Sequence, residues 1–396
     1  MLSVADATRA VLARVARLPD ETVALDAARG RVLACAVRVE RALPAFDNSA
    51  MDGYALRSSD APGTLPVAGV IAAGEPRTEP VHAGTCVRIF NGAPLPADCD
   101  TVVIQENVTL AGDDVTVPAS RVGENVRRAG EDFAIGDIAM TQGTRLGAWH
   151  IGVLAALGVV TVPVVRPPRV AIIATGDELV DVTTTPRPGQ LVDSSAHALA
   201  AAIADAGGVA TYLGIARDDL DALTQMLAQA LDYDVVITTG GVSVGDRDYM
   251  HAAMKNAGVA LELYKVAMRP GKPFSFGVAA RGTPVFGLPG NPVSTLVAYE
   301  LFVRPALLAM QGATVVERPR VPVHLATTQR KNEGRVYFLR ARVVREGERL
   351  VARIHPKQGS AMLSALVDCN ALVQIPAETS HIDAGATATA ILFEAV

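Results

Sequence analysis

From Arg169 onward the chain alternates short apolar runs with amphipathic stretches of about ten residues, and few folds accept that pattern. Residues 169–175, 209–215 and 235–239 read as strands, and 194–206 and 220–231 between them as helices. Helices of this size between strands imply parallel βαβ units. The alternation continues through a helix over 248–256, strands over 261–267, 274–279 and 285–288, and a long helix over 292–310. One doubly wound α/β domain is expected.

Two proline-bearing joints, Pro167-Pro168 and Glu317-Arg-Pro-Arg320, bound that domain. Ahead of it, Val4, Ala7, Val11, Leu12 and Val15 fall at helical spacing, and the pattern stops before Pro19. Residues 44–145 are rich in Gly, Pro and short β-branched runs, as in an all-β module with frequent turns and no long helix. Residues 146–165 approach the length of a membrane span, but Gly158 and Pro163 divide them into a helix over 148–157 and a strand over 159–165. Beyond the second joint, 321–326, 335–344 and 349–354 read as antiparallel strands with a turn at Glu346-Gly-Glu348, hence a small C-terminal β-domain.

The formal charge of −5 argues against nucleic acid as a partner. Cys35, Cys86, Cys99 and Cys369 are widely spaced and form neither a zinc ribbon nor a disulfide framework. With an amphipathic start in place of an apolar signal core, they suggest a cytoplasmic protein that does not engage membranes.

Chemistry-bearing residues gather at the ends of these strands. Thr175-Gly-Asp-Glu178 stands at the carboxyl edge of the sheet, where open α/β sheets take ligands, although Asp177 and Glu178 are equally at home in a turn or helix start. In the loop after residue 239, Gly240, Gly241 and Gly245 would let backbone amides crowd round an anion, and Asp246 and Asp248 offer oxygen ligands. Phosphate with carboxylates points to a divalent metal, Mg²⁺ above all. Asp246-Arg247 replaces the Lys-Ser or Lys-Thr of a P-loop, which excludes that nucleotide-hydrolysing motif.

The same loop reads as the G-x-S-x-G elbow of a serine hydrolase with Ser243 as nucleophile. That alternative needs a downstream acid and then a histidine, yet His251 follows too closely and His324, His355 and His381 lie in the C-terminal β-domain. Lys265, Arg269 and Lys272 surround a Pro-Gly turn and suit phosphate or oxyanion capture. Pro289, Asn291 and Pro292 open the long helix and form another candidate anion site. Asp47 and Asp52, in the β-module, read as turn residues.

Taken together the segments resemble the molybdopterin molybdenumtransferase family, the bacterial MoeA proteins and the matching domain of gephyrin, over nearly the whole length. The likeness rests on Phe46-Asp-Asn-Ser-Ala-Met-Asp-Gly-Tyr54, Asn91-Gly-Ala-Pro-Leu-Pro96, Asn125-Val-Arg-Arg-Ala-Gly-Glu-Asp132, Thr175-Gly-Asp-Glu178, Gly240-Gly-Val-Ser-Val-Gly-Asp246, Arg269-Pro-Gly-Lys-Pro273 and Leu288-Pro-Gly-Asn-Pro-Val-Ser294. It implies an N-terminal α/β piece (1–45 with 133–167), an inserted β-module (46–132), a three-layer molybdopterin-binding domain (168–312) and a C-terminal β-barrel (313–396).

It further implies a homodimer whose cleft lies between the molybdopterin-binding domain of one subunit and the inserted module of the other, which brings Asp52 and Asp132 to the site. The implied reaction joins molybdate to adenylylated molybdopterin, releases AMP and uses Mg²⁺. Glu178, Asp218, Asp246 and Asp248 would hold the metal, and lysine and arginine would hold molybdate and phosphate. Transient contact with the molybdopterin adenylyltransferase follows from the same likeness. Asn91, Arg269 and Asp246 depart from the threonine, lysine and glutamate of many relatives but keep the needed chemistry. Ser360 resembles a polar element brought from the barrel towards the cleft, and reads equally well as a helix-start serine. A pterin-binding scaffold without catalysis remains the alternative within this family.

Overall fold

The computed structural model describes residues 1–74, 77–241 and 249–394, with only the backbone of Tyr264. Its centre is a six-stranded sheet in the order Val209–Ala216, Arg169–Thr175, Val235–Thr239, Pro284–Leu288, Ser275–Ala279, Val259–Tyr264. The first four strands are parallel. Alternate residues of each strand feed two cores. Val170, Ile172, Val235 and Ile237 pack on one face with the helices Ser195–Asp205 and Pro292–Ala298. Ala171, Ile173 and Val236 pack on the other with Leu220–Ala230 and Tyr249–Asn256. Burial on both faces is why these strands read as unbroken apolar runs.

The sheet is mixed: the strands joined through helices are parallel, as expected of the βαβ units, and the last two are not. Val259–Tyr264 pairs antiparallel with Ser275–Ala279, which pairs antiparallel with Pro284–Leu288. The links between these strands carry no helix, and without a crossover the chain can only fold back on itself. The long helix also differs from expectation, with a π-helical turn at Tyr299–Val303 between Pro292–Ala298 and Arg304–Met310. Pro305 lacks an N–H for the ladder, and the Leu301 carbonyl accepts instead from Thr8 Oγ1 of the N-terminal helix Val4–Leu12 at 3.4 Å. This segment has the length and apolarity of a membrane span, but 78% of its most apolar stretch is buried inside the molecule.

At the joint ahead of the sheet, Arg166 forks onto Asp234 at 2.6 and 2.7 Å, and the Arg169 amide donates to the same carboxylate at 2.8 Å. Burial pulls the Asp234 carboxyl upward, but the Arg166 fork and the Arg169 amide outweigh it and hold its pKa below the ordinary value. Upstream, Asp20–Ala24 pairs with Thr161–Val165 and Val37–Arg38 with Ile138–Met140. Residues before 45 and after 133 therefore share one small core, with Leu33, Met140, Leu154 and Val164 inside it. Between these segments lies a second six-stranded sheet, Thr101–Ile104, Gly53–Leu56, Cys86–Ile89, Gly63–Ile71, Asp114–Val117 and Thr109–Ala111.

At the C-terminus, five strands close a barrel: Val336–Glu346, Arg349–Ile354, Arg320–Leu325, Thr387–Leu392 and Ala371–Ile375, which returns to Val336–Glu346. Arg320–Leu325 runs parallel to Arg349–Ile354, against the antiparallel expectation, because the intervening strand reverses the chain and the hairpin reverses it again. A short strand of the α/β domain, Met268–Arg269, joins the barrel edge opposite Val336 and Tyr337. That pairing carries Arg269 to the barrel.

Candidate active site

The chain leaves Arg169–Thr175 for Val209–Ala216 on one side and returns to Val235–Thr239 on the other, so the two loops that follow residues 175 and 239 part at a topological switch point. There the backbones nearly touch. Gly240 has φ +89°, and a Cβ on it would lie 2.4 Å from the Thr175 carbonyl oxygen. Its amide donates to Leu288 O at 3.1 Å, and the absence of a side chain permits the close packing of the two loops. Gly241, φ +65°, stacks beside the Thr175 side chain, and Gly176, φ +147°, lies under the Glu178 carboxylate.

The crevice opens into a cavity of about 610 Å³ lined by Thr175, Gly176, Glu178, Asp218, Gly240 and Gly241, and across from them by Pro289, Asn291 and Pro292. Nine of the positions singled out in the sequence therefore share one space. Thr175 Oγ1 donates to Asp218 Oδ1 at 2.7 Å, and the Asp218 amide donates to Asp177 at 3.3 Å, which fixes the acidic side of the cavity. Asp193, nearly fully buried, accepts from the Ser195 and Ala196 amides and from Tyr212 Oη at 2.9 Å. This carboxylate occupies the N-terminus of the helix behind the cavity.

A second cavity of about 330 Å³ adjoins the first across Pro273, Pro289 and Asn291. It is cationic. Arg269, Lys272 and Arg335 line it together with Ser294, Gln358 and Ser360. The Ser360 carbonyl accepts from the Val293 amide at 3.1 Å, which ties the barrel segment to the start of the long helix. Ser360 does not begin a helix, since the nearest one spans Ser364–Val367. Lys265 opens the turn of this region at φ +68° with its amide on Phe274 O at 2.9 Å, and it lines neither cavity.

Ser243, Gly245, Asp246 and Asp248 lie outside the described residues. Among the described residues no group of three or more His, Cys, Asp or Glu is placed to hold a metal. Glu178 and Asp218 nevertheless suit Mg²⁺, which keeps several waters and takes one or two carboxylates beside substrate phosphates. His324, His355 and His381 bond within the barrel and line neither cavity.

Asp52 and Asp132 line neither cavity. Asp52 Oδ1 accepts from the Asn91 amide at 2.7 Å, and Asn91 Oδ1 accepts from Arg127 at 3.3 Å. Phe46, Met51 and Phe90 lie exposed on the same module. Sequence reasoning assigned no role to Asp193, Ser195, Ser294, Arg335 or Gln358, which the structure adds to the site. An Asp-Ser-Ser start before a helical pattern could have flagged Asp193; Arg335 is recruited by the barrel pairing and carries no local signal.

A switch-point crevice with a cationic annex, set against a closed barrel, marks a multidomain α/β protein that takes anionic ligands. Residues 2–158 match the MoeA N-terminal region (domain I and II), 171–309 a probable molybdopterin binding domain, and 322–393 the MoeA C-terminal region (domain IV). Molybdopterin molybdenumtransferase 2 of Mycobacterium tuberculosis is 36% identical, covering 97% of this chain and 98% of the relative. The Haemophilus influenzae molybdopterin molybdenumtransferase is also 36% identical, over 88% of this chain and 87% of its own. The crystal structure of the molybdopterin biosynthesis MoeA protein of Pyrococcus horikoshii superposes with a TM-score of 0.87 at 29% identity, covering 99% of this chain and 100% of that one. The chain belongs to the molybdopterin molybdenumtransferase family.

Proposed function

We propose that the chain inserts molybdate into adenylylated molybdopterin, forming molybdenum cofactor and releasing AMP, as a cytoplasmic homodimer. One observation carries this reading: a large crevice with an acidic wall shares Pro273, Pro289 and Asn291 with a smaller cavity holding Arg269, Lys272 and Arg335. Two cavities of unlike charge side by side suit two substrates that must meet.

In this reading the pterin and its phosphates lie along Thr175, Gly241 and Asn291. Arg269, Lys272 and Arg335 balance the dianion, while the Ser294 and Ser360 hydroxyls donate to its oxygens. Holding both within one space replaces an encounter in solution by a fixed orientation. Glu178 and Asp218, with Asp246 and Asp248, would hold Mg²⁺, whose charge offsets the phosphate oxygens as AMP leaves. Thr175 keeps Asp218 aimed into the crevice. The exposed Phe46, Met51 and Phe90 around Asp52 support a dimer in which the β-module of one subunit covers the crevice of the other.

The purified protein, given adenylylated molybdopterin, Mg²⁺ and molybdate, is expected to release AMP, and to do so only when molybdate is present. A protein that binds the pterin but releases no AMP is instead the non-catalytic scaffold.

A further inference from the structure

A third cavity, of about 350 Å³, lies against the barrel on the far side of Arg269. Arg269, Pro270 and Gln358 form the wall it shares with the cationic cavity. Its remaining lining includes Arg330, Lys331, Arg340 and Tyr337, with the amide side chains of Gln329 and Asn332. The sequence reading absorbed none of these.

Four cations line this one space in a chain of net charge −5, and one of them, Arg340, is fully buried, where a charge is costly without an anionic partner. Among the described residues none of Arg269, Arg330, Lys331 and Arg340 forms an ion pair, and the side-chain partners of Arg269, Lys331 and Arg340 are neutral. Arg269 Nη1 donates to Tyr337 Oη at 3.2 Å and its guanidinium lies 5.2 Å from the centre of that ring. Lys331 Nζ lies 5.1 Å from the same ring and donates to the carbonyls of Asn332, Arg335 and Ala377 at 3.1 to 3.3 Å. Arg340 is fully buried; its Nη2 donates to the carbonyls of Lys357 and Gly359, and its Nε has no partner. Burial holds the Arg340 guanidinium below its ordinary pKa, a cost that a nearby anion would relieve.

The geometry points to a second site for a tetrahedral dianion, in which molybdate is held beside the barrel before it passes Arg269 and Gln358 into the cavity of Lys272 and Arg335. The cations supply charge, and the amides of Gln329, Asn332 and Gln358 supply donors that accommodate a small oxyanion in more than one orientation. Arg269 and Gln358 line both compartments and so stand between the two positions. This assignment rests on the reading of the neighbouring cavity as a molybdate site.

The test is equilibrium dialysis of the full chain against labelled molybdate, with parallel arms of sulfate and phosphate. Two equivalents per protomer are expected. The double variant Arg330→Gln/Lys331→Met is expected to retain one, and Arg330→Gln alone, at an exposed position, to weaken the second about tenfold, as loss of one charge-assisted contact does. Lys272→Ala is expected to weaken the other equivalent and leave the barrel equivalent in place. Sulfate or phosphate filling the second equivalent also supports a dianion site, and the anion that binds tightest identifies its source. A single equivalent, lost with Lys272→Ala and untouched by the double variant in a protein of unchanged melting temperature, overturns this inference while leaving the proposed function intact. No bound oxyanion in any arm removes both.

Discussion

Gly240→Ala separates the requirements of the crevice from those of the fold. Two costs are expected, and a second glycine isolates one of them. Gly282 has φ +88° against +89° for Gly240, but nothing lies within 4 Å of a Cβ added to it. Gly282→Ala therefore reports backbone strain alone, about 1–2 kcal/mol, with activity unchanged. At Gly240 the new methyl would stand 2.4 Å from the Thr175 carbonyl oxygen, and ordinary contact begins at 3.4 Å, so one loop must retreat. The retreat of about 1 Å adds roughly 1–3 kcal/mol of overpacking and moves Thr175, and with it Asp218, off position. A displacement of that size at a reacting centre costs about 100-fold in rate. Chemical denaturation of both variants gives the stability difference, and AMP release gives the rate. Equal stability losses, or Gly240→Ala with activity within about threefold of the parent, would refute the close approach of the two loops, since a loss near 100-fold is what that approach requires.

Other consequences follow from the charge and thiol placements. Asp234→Asn is expected to cost about 1.5–3 kcal/mol at neutral pH by weakening the Arg166 fork. Because the folded pKa of Asp234 is lowered, this stability is present above the unfolded carboxyl pKa and fades as pH falls through the folded one, so urea curves of parent and variant should converge below about pH 4. Burial pushes the Cys86 thiol up to about 11 and Cys99 up to about 12, while Cys35 is exposed. A native thiol titration at pH 8 should thus modify Cys35 first, with Cys86 and Cys99 reacting only after denaturation. Sedimentation should show a dimer, weakened by Phe90→Glu on the exposed β-module surface.

The central sheet was legible because burial on both faces leaves an unbroken apolar signature, as in Val235–Thr239. The crevice was legible for a related reason. Glycines at the ends of buried strands, Gly176, Gly240 and Gly241, have few other uses. What escaped was set by long-range pairing. Nothing local announces that Met268–Arg269 joins Val336–Glu346, and that pairing brings Arg335 and Gln358 to Arg269. The antiparallel half of the sheet escaped because its connections lack the helices on which the parallel inference rests. The π-turn at Tyr299–Val303 depends on Pro305 together with Thr8, which lies 293 residues before Leu301, so periodicity alone reads through it. The loop carrying Ser243, Asp246 and Asp248 contributes to the candidate site from sequence alone.

The division of labour between the two adjoining cavities is tested most directly by steady-state AMP release from an Arg335→Ala variant, with each substrate varied in turn. Arg335 lines the cationic cavity and not the crevice. The expected result is a KM for molybdate raised about tenfold or more, with the KM for adenylylated molybdopterin unchanged. Equal changes in both, or a change only for the pterin, would contradict the assignment of separate cavities to the two substrates.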